Sequence, residues 1–320
     1  MTAEDVLQEF VPYSERILIT GCHGLLGQKL FTLLSPTNTI IGLDMQPGTH
    51  LSGRDYSYHT LDITRGPDLI DAIVELRPRY IINTAAMTGV DHCEDEKEAC
   101  WRVNVLAVES LIKGARKVGA HLVQVSSDYV FNGKQPPYCE TDRTDPLGYY
   151  GKSKLASENV LRGSDISFTI ARTQVLFGVA PKTRPNFVDF IRLKLEEGLE
   201  LSIVDDQLGN PTLADDLATG IARIIQLRNT GIYHISGSES ISRYEFACKI
   251  AAAFGEDPSR IKPIKTAQLK QKAPRPENST FCLDKINREL KFRPRSTIEA
   301  LMVYKEQLHE LQITTGGNAK

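Results

Sequence analysis

The chain has 320 residues, which is long enough for one large hydrophobic core or for two unequal domains. It is 41% hydrophobic and 24% charged, as in an ordinary globular protein. Its 38 basic residues nearly balance its 40 acidic ones, so we expect no nucleic-acid surface. No apolar run approaches the roughly 20 residues that cross a bilayer, and the N-terminus lacks signal-peptide features. These features exclude a membrane role and predict a cytoplasmic location.

The six cysteines form no CxxC pair and no regular framework, so we expect them to be reduced and mostly buried. Two neighbouring pairs, Cys22 with His23 and His92 with Cys93, are potential metal ligands. No second pair completes a tetrahedral set, so no metal site is predicted. The sequence leaves open whether Mg²⁺ takes part in function.

Strand-like and helix-like segments alternate over the first 178 residues. Residues 1–15 are interpreted as an extension before the first strand. The predicted elements are strands at 16–20, 38–44, 80–86, 121–127 and 167–178, and helices at 24–34, 68–78, near 94–118 and from about 150. This alternation, with unbroken apolar strands, indicates an α/β fold of Rossmann-like doubly wound type, with a parallel sheet covered on both faces.

The pattern becomes mixed and loop-rich beyond residue 178. We therefore predict a first domain over residues 16–178 and a smaller C-terminal lobe over residues 179–320. Elements near residues 205–236 are expected to be shared between the two.

The segment TGCHGLLGQ places glycines at 21, 24 and 27 between the first strand and the first helix. Glycine suits the tight turn, the close approach of backbone to a pyrophosphate and the packing of helix on strand. The phosphates would lie at the helix N-terminus. The alternative is a tight turn without a ligand, but its position in the fold favours an NAD(P)-binding domain.

Asp44 ends the second predicted strand, at the distance along the chain expected of a carboxylate that binds the adenosine ribose. Such a carboxylate repels a 2′-phosphate, which favours NADH over NADPH. His50 and Arg54 follow and could offset this preference. Asp62 and Ile63 occupy the next predicted strand end and could border the adenine.

The stretch GYYGKSK contains Tyr149, Tyr150 and Lys154. A spacing of four places Tyr150 and Lys154 on the same side of a helix, whereas Tyr149 points elsewhere. A nearby ammonium would favour the ionised phenol. This pair alone is also common on solvated helix faces.

Several segments together resemble the extended short-chain dehydrogenase/reductases, and within them the dTDP-4-dehydrorhamnose reductase family. The resemblance covers about residues 16–305. It rests on INTAAMTGVDHCE, SSDYVFNG, YYGKSKLASE, RTQVLFG, VDDQLGNPTLADDLA, GIYHISG and APRP.

The resemblance implies catalytic roles for four residues. Tyr150 matches the proton donor, Lys154 its partner, and Ser127 the residue that hydrogen-bonds the substrate carbonyl. Asn104 matches an asparagine tied to the active-site backbone through water. The implied cofactor-binding residues are Gly21, Gly24, Leu25, Leu26, Gly27, Asp44, Asp62, Ile63, Ala85 and Ala86, together with Tyr150 and Lys154.

The resemblance also implies a pocket for the sugar nucleotide, with Ser127 among its residues. Asp128 could instead cap a turn, Tyr129 and Val90 could belong to the core, and Arg275 could be an exposed arginine. Family members usually carry an aromatic residue in place of Met87 and a tryptophan in place of Val175, so we expect a wider pocket. The remaining implied substrate contacts are Thr88, Val90, Asp128, Tyr129, Val175 and Arg275.

The resemblance predicts NADH- or NADPH-dependent reduction of the 4-keto group of a nucleotide-linked 6-deoxy sugar, of the dTDP-4-dehydrorhamnose type. A possible homodimer is also expected. Two alternatives remain: an epimerase or dehydratase of the same fold, and a non-catalytic subunit resembling the regulatory subunit of methionine adenosyltransferase.

Overall fold

A seven-stranded parallel sheet forms the centre of the computed structural model, which describes residues 14–316. The strands are β1 (Arg16–Thr20), β2 (Thr39–Asp44), β3 (Tyr56–Thr60), β4 (Tyr80–Asn83), β5 (His121–Ser127), β6 (Phe168–Thr173) and β11 (Gly231–His234). Their order in the sheet is β11-β6-β5-β4-β1-β2-β3, and every neighbouring pair runs parallel. The predicted Rossmann-like doubly wound sheet is confirmed.

Helices cover both faces of this sheet because successive strand residues point to opposite sides. In β1, Ile17 and Ile19 belong to one apolar cluster and Leu18 to another. The helices are α1 (Leu25–Leu34), α2 (Gly66–Leu76), α3 (Val90–Asp95), α4 (Lys97–Trp101), α5 (Ala107–Val118), α6 (Tyr149–Arg162), α7 (Phe187–Glu196), α8 (Ala214–Leu227), α9 (Arg243–Phe254) and α10 (Thr297–Gly316), with π-helical segments at Arg102–Leu106 and Ile286–Leu290.

Four predicted elements differ from the structure. The single strand predicted at 167–178 is divided into β6 and a short strand at Leu176–Phe177. A strand end was predicted at Asp62 and Ile63, but β3 ends at Thr60, before both residues. Its start was not predicted, because its sequence YSYHT lies at the sheet edge and lacks an apolar run. The strand predicted at 80–86 ends at Asn83. The helix predicted near 94–118 is interrupted at Glu96, which leaves the helical region with φ −108° and ψ 58°, and then widens into a π-helical turn.

The second lobe is built on three small two-stranded sheets and on α7, α9 and α10. Its core contains Phe177, Phe246 and Tyr304. The paired strands are β7 (Leu176–Phe177) with β10 (Thr212–Leu213), β8 (Leu201–Val204) with β13 (Ile261–Ile264), and β9 (Leu208–Gly209) with β12 (Ile241–Ser242).

Two elements that follow residue 178 pack with the first domain, one as a strand of the central sheet and one as a helix that covers it. Strand β11 pairs with β6, and α8 packs on α1. The predicted domain boundaries remain a prediction. Most of the predicted extension, residues 1–13, lies outside the described residues.

All six cysteines are free; three are buried and three are half-buried. Within residues 14–316, no helix is both long enough and apolar enough to cross a bilayer.

Candidate active site

The turn from β1 into α1 requires glycine at two positions, Gly21 in the loop and Gly27 in the first turn of α1. Gly21 has φ +67°, and a Cβ there would lie 2.9 Å from the Ala85 nitrogen. A Cβ on Gly27 would lie 2.3 Å from the Gly21 carbonyl oxygen. Helix α1 begins at Leu25, directly after Gly24, and no side chain caps it. Its first N–H groups can therefore receive an anion such as a pyrophosphate.

Asp44 lies at the end of β2 beside this loop. Its carboxylate accepts hydrogen bonds from the backbone N–H groups of His23 (3.1 Å) and Met45 (2.8 Å). The His23 ring is buried and stacks on Tyr58, and its Nδ1 atom has no hydrogen-bond partner. A buried nitrogen without a partner and a glycine cradle both fit a dinucleotide bound across this edge of the sheet.

Cys22, His23 and Asp44 also bring three potential metal-ligand atoms within 4.8 Å of one another. The sequence revealed the Cys22–His23 pair but not the carboxylate that lies beside it. Both Asp44 oxygens already accept backbone hydrogen bonds, and burial raises the pKa of the Cys22 thiol to about 12. We therefore attribute the group to the dinucleotide loop.

Asn104 fixes the backbone that follows β4. The Met87 N–H donates to Asn104 Oδ1 (2.9 Å), and Asn104 Nδ2 donates to the Met87 carbonyl (3.1 Å) and to Ser153 Oγ (3.0 Å). These contacts are direct, whereas contact through water was expected. Asn104 lies in the π-helical turn, a deformation that is frequent at functional sites.

Tyr150 and Lys154 lie in the first turns of α6, close to the end of β5. A Cβ on Gly151 would lie 2.1 Å from the Tyr129 carbonyl oxygen, so a glycine lets the helix approach this closely. The Tyr150 ring is buried and meets Tyr129 edge-on, with ring centroids 5.7 Å apart. Lys154 Nζ is buried and donates to the Val125 carbonyl (2.7 Å).

Burial governs the proton affinity of both side chains. It raises the pKa of Tyr150 well above its usual value, and the hydrogen bond with Ser127 opposes this effect. Burial lowers the pKa of Lys154 to about 8, against the attraction of Glu158. We expected Lys154 to lower the pKa of Tyr150, but burial dominates in this structure. The phenol is therefore protonated at neutral pH.

Ser127 ends β5 and is held by the residues that follow it. Its hydroxyl donates to Asp128 Oδ1 (2.9 Å) and accepts from the Tyr129 N–H (3.2 Å). Asp128 is buried, and its other oxygen accepts from Ser279 Oγ (2.6 Å). Ser126 points to the opposite side of the strand, as its place in the alternation predicted, and donates to Glu158.

Arg275 is not the exposed arginine that was considered. Its side chain is 11% exposed and binds the Asp91 carboxylate through both terminal nitrogens, at 2.6 and 3.0 Å. This hydrogen bond lowers the pKa of Asp91 to about 2. The pair joins the start of α3 to the Pro-rich segment at 273–276.

The remaining predicted pocket residues differ in their surroundings. Thr88 is exposed, and Val90 and Tyr129 pack around Tyr150. Val175 lies between β6 and β7 with φ +46°, which is strained for a β-branched residue. Ala85 and Ala86 follow β4 beside Gly21, whereas Asp62 forms a turn with Thr64 just beyond β3.

Sequence reasoning missed three partners of the site. Ser279 binds Asp128, Asp91 binds Arg275, and Glu94 accepts from the Tyr149 N–H at the start of α6 (2.6 Å). Asp91 and Glu94 belong to the motif MTGVDHCE and were available as signals. Ser279 has no distinguishing pattern around it.

The whole described architecture corresponds to a known family. The model of the RmlD substrate binding domain matches residues 15–310. A dTDP-4-dehydrorhamnose reductase of Aggregatibacter actinomycetemcomitans is 34% identical over 301 residues, covering 89% of this chain and 97% of that protein. The chain belongs to the dTDP-4-dehydrorhamnose reductase family. The resemblance seen in the sequence is thus confirmed.

The chain is also similar to a reductase of known structure and to a subunit of a different enzyme. The crystal structure of dTDP-4-dehydrorhamnose reductase from Bacillus anthracis in complex with NADP has a TM-score of 0.80 and 30% identity, covering 92% of this chain and all of that one. Methionine adenosyltransferase 2 subunit beta of Xenopus laevis is 32% identical over 296 residues, covering 89% of this chain and 85% of that protein.

Proposed function

We propose that the protein is an NAD(P)H-dependent reductase that converts the 4-keto group of a nucleotide-linked 6-deoxy sugar, of the dTDP-4-dehydrorhamnose type, into a hydroxyl. The observation that carries this proposal is the buried Ser127, Tyr150 and Lys154 set at the carboxyl edge of the sheet, next to the glycine loop. The nicotinamide coenzyme supplies the hydride when it is bound.

Tyr150 is the proton donor in this proposal. Its phenol O–H bond breaks as a new O–H bond forms on the sugar oxygen, which carries negative charge once hydride has reached the carbon. The raised pKa of Tyr150 keeps this proton in place until an oxyanion more basic than a phenolate develops. Tyr149 points elsewhere and packs near Trp101.

Ser127 and Lys154 prepare the site for that transfer. In the free protein the Ser127 hydroxyl donates its hydrogen to Asp128. When the substrate is bound, this hydrogen rotates toward the sugar oxygen and stabilises the negative charge that develops there. The Lys154 ammonium, held by the Val125 carbonyl, is positioned to hydrogen-bond the ribose of the coenzyme. Asn104 acts through Met87 and Ser153, and is therefore a positioning residue.

The sugar nucleotide would lie between the lobes. We propose that Thr88, Val90, Tyr129 and Val175 border the sugar. Arg275 is engaged by Asp91, and Asp128 by Ser127 and Ser279, so these two residues shape the pocket from behind. A homodimer and a cytoplasmic location belong to the same proposal.

A second function is favoured by the likeness to methionine adenosyltransferase 2 subunit beta. In that case the chain would form a stable complex with a methionine adenosyltransferase and reduce no sugar. Co-elution of the two proteins at micromolar concentration in size-exclusion chromatography tests this possibility. An epimerase or dehydratase of the same fold would recycle its coenzyme and show no net consumption.

The test of the reductase is the absorbance at 340 nm of NADH, and separately NADPH, with the purified protein and dTDP-4-dehydrorhamnose. We expect the absorbance to fall with wild type and to stay constant with Tyr150→Phe, while coenzyme binding is retained. Full activity of Tyr150→Phe would contradict the role of Tyr150. Coenzyme binding without consumption in wild type would contradict the reductase.

A further inference from the structure

A loop of the second lobe lies against the glycine loop of the first. The amide of Gln28, on α1, donates to the carbonyl of His23 (2.8 Å) and to that of Pro181 (2.9 Å). Gln28 is 5% exposed, so this bridge is shielded from water. The loop closes on itself where Thr183 Oγ1 donates to the Ala180 carbonyl (2.9 Å).

Lys182 is placed by this bridge at the adenosine end of the dinucleotide site. It is exposed, and its backbone has φ +56°, which directs the chain through a tight left-handed turn. Burial lowers the pKa of His50, the charges of His23 and Lys182 lower it further, and Asp44 raises it. Lys182 therefore lies within electrostatic range of His50, next to the residue that Gln28 joins to the glycine loop.

Two imidazole nitrogens beside Asp44 have no partner. The rings of His23 and His50 are 4.8 Å apart, and His23 Nδ1 and His50 Nε2 are both buried without a hydrogen bond. His23 is only 4% exposed, and its Nε2 is already occupied by Thr49 Oγ1 at 3.0 Å. Buried polar atoms without partners indicate a ligand that supplies them.

We propose that Lys182, together with His23 and His50, binds the 2′-phosphate of NADPH, so that the protein prefers NADPH although Asp44 ends β2. The phosphate is a dianion that the Asp44 carboxylate alone would repel. The Lys182 ammonium offsets that repulsion, and the two imidazoles provide hydrogen-bonding nitrogens beside it. This inference rests on the proposed use of a nicotinamide coenzyme, and it reverses the preference that Asp44 suggested.

The test measures coenzyme binding, not turnover. Dissociation constants for NADPH and NADH are obtained by fluorescence titration of the full chain, for wild type, Lys182→Ala and Lys182→Arg. We expect wild type to bind NADPH more tightly than NADH. Lys182→Ala should weaken NADPH binding roughly fivefold or more and change NADH binding less than about twofold, because one exposed charge pair is lost. Lys182→Arg should retain the preference.

Lys291→Ala is the matched control. Lys291 is also an exposed lysine with a left-handed backbone (φ +49°), and the carbonyl of its neighbour Leu290 accepts a hydrogen bond from Arg223 on α8. It should change neither constant. Three outcomes would overturn this inference but leave the proposed function intact. They are equal effects of Lys182→Ala on both coenzymes, no effect on either coenzyme, and tighter binding of NADH than of NADPH by wild type. Failure of wild type to bind either coenzyme would overturn the proposed function as well.

Discussion

Ser279 Oγ donates a 2.6 Å hydrogen bond to Asp128, which in turn accepts from the hydroxyl of Ser127. A residue from the last sixth of the chain thereby fixes the carboxylate behind the proposed oxyanion-stabilising serine. The contact joins the two lobes at a buried point, so its loss should affect stability and turnover together.

Ser279→Ala tests this contact. Asp128 would keep the Ser127 hydrogen bond but lose the other, and we expect the free energy of unfolding to fall by about 1–3 kcal/mol. Urea unfolding measures the change. Ser259→Ala is the control, since Ser259 makes an exposed 2.7 Å hydrogen bond to Asp257 and should cost less than about 0.5 kcal/mol. Equal losses in the two variants would refute the importance of the buried contact.

Glu158→Gln should be strongly destabilising. Glu158 and Arg172 form an ion pair at 2.6 Å in which the side chains are 0% and 1% exposed. Removing the carboxylate charge leaves the guanidinium buried without its paired carboxylate, which should cost about 3–5 kcal/mol. Asp165→Asn, in the exposed pair with Arg116, should cost less than about 1 kcal/mol. Chemical denaturation of both variants checks the contrast, which similar losses would disprove.

Lys154→Met should stabilise the free protein while abolishing activity. Burial lowers the pKa of Lys154 to about 8. Below that pH the folded protein contains a buried, charged lysine, which lowers its free energy of unfolding. At pH 7 we expect the variant to gain on the order of 1–3 kcal/mol in free energy of unfolding. Between pH 8 and 10.5 the unfolded chain binds more protons, so wild type recovers and the gain shrinks.

Urea unfolding of wild type and Lys154→Met at pH 7 and pH 10 measures that difference. Lys152→Met, on the same helix but exposed, is the control for the change of side chain. An advantage of Lys154→Met that grows with pH would have the wrong sign and would contradict the effect of burial.

His121 should contribute to acid sensitivity. Both of its ring nitrogens are paired, with Ser167 Oγ at 2.7 Å and Thr169 Oγ1 at 3.0 Å. Burial, assisted by the charge of Arg79, lowers the pKa of His121 to about 4 from a usual value near 6.5. Its contribution is therefore fully present above pH 6.5 and is lost as the pH falls from 6.5 toward 4.

The comparison of wild type with His121→Gln isolates this contribution. The difference in free energy of unfolding between the two proteins should decrease by up to about 3 kcal/mol from pH 7 to pH 4. His309→Gln, on an exposed part of α10, is the control. A difference that does not vary with pH would exclude His121 as an acid-sensitive residue.

The fold was largely predictable because its strands are short apolar runs between amphipathic helices. β1 and β5 were predicted with the observed bounds, since each combines burial with β-branched residues. The bounds of β3 were missed because it lies at the sheet edge and its alternating YSYHT contains no apolar run. The break at Glu96 was missed because the residues on both sides of it form helices readily.

The site was predictable where local spacing determines geometry. Tyr150 and Lys154 share a helix, and Ser127 follows a strand, so their placement depends on contacts near in sequence. The partners of Asp128 and Arg275 lie 151 and 184 residues away along the chain, and no local pattern reports such pairs. Burial is likewise a property of the folded chain, which is why the raised pKa of Tyr150 was not anticipated.

The position of β11 beside β6 has a consequence for biosynthesis. Until residue 234 has left the ribosome, the β6 edge exposes unpaired backbone groups along a strand that is otherwise buried. The coenzyme-binding half therefore cannot complete its folding while the later segments are still being made, and it must be protected from edge-to-edge aggregation during that interval. We therefore expect a soluble fragment of this half to need the chain as far as His234, beyond the predicted lobe boundary.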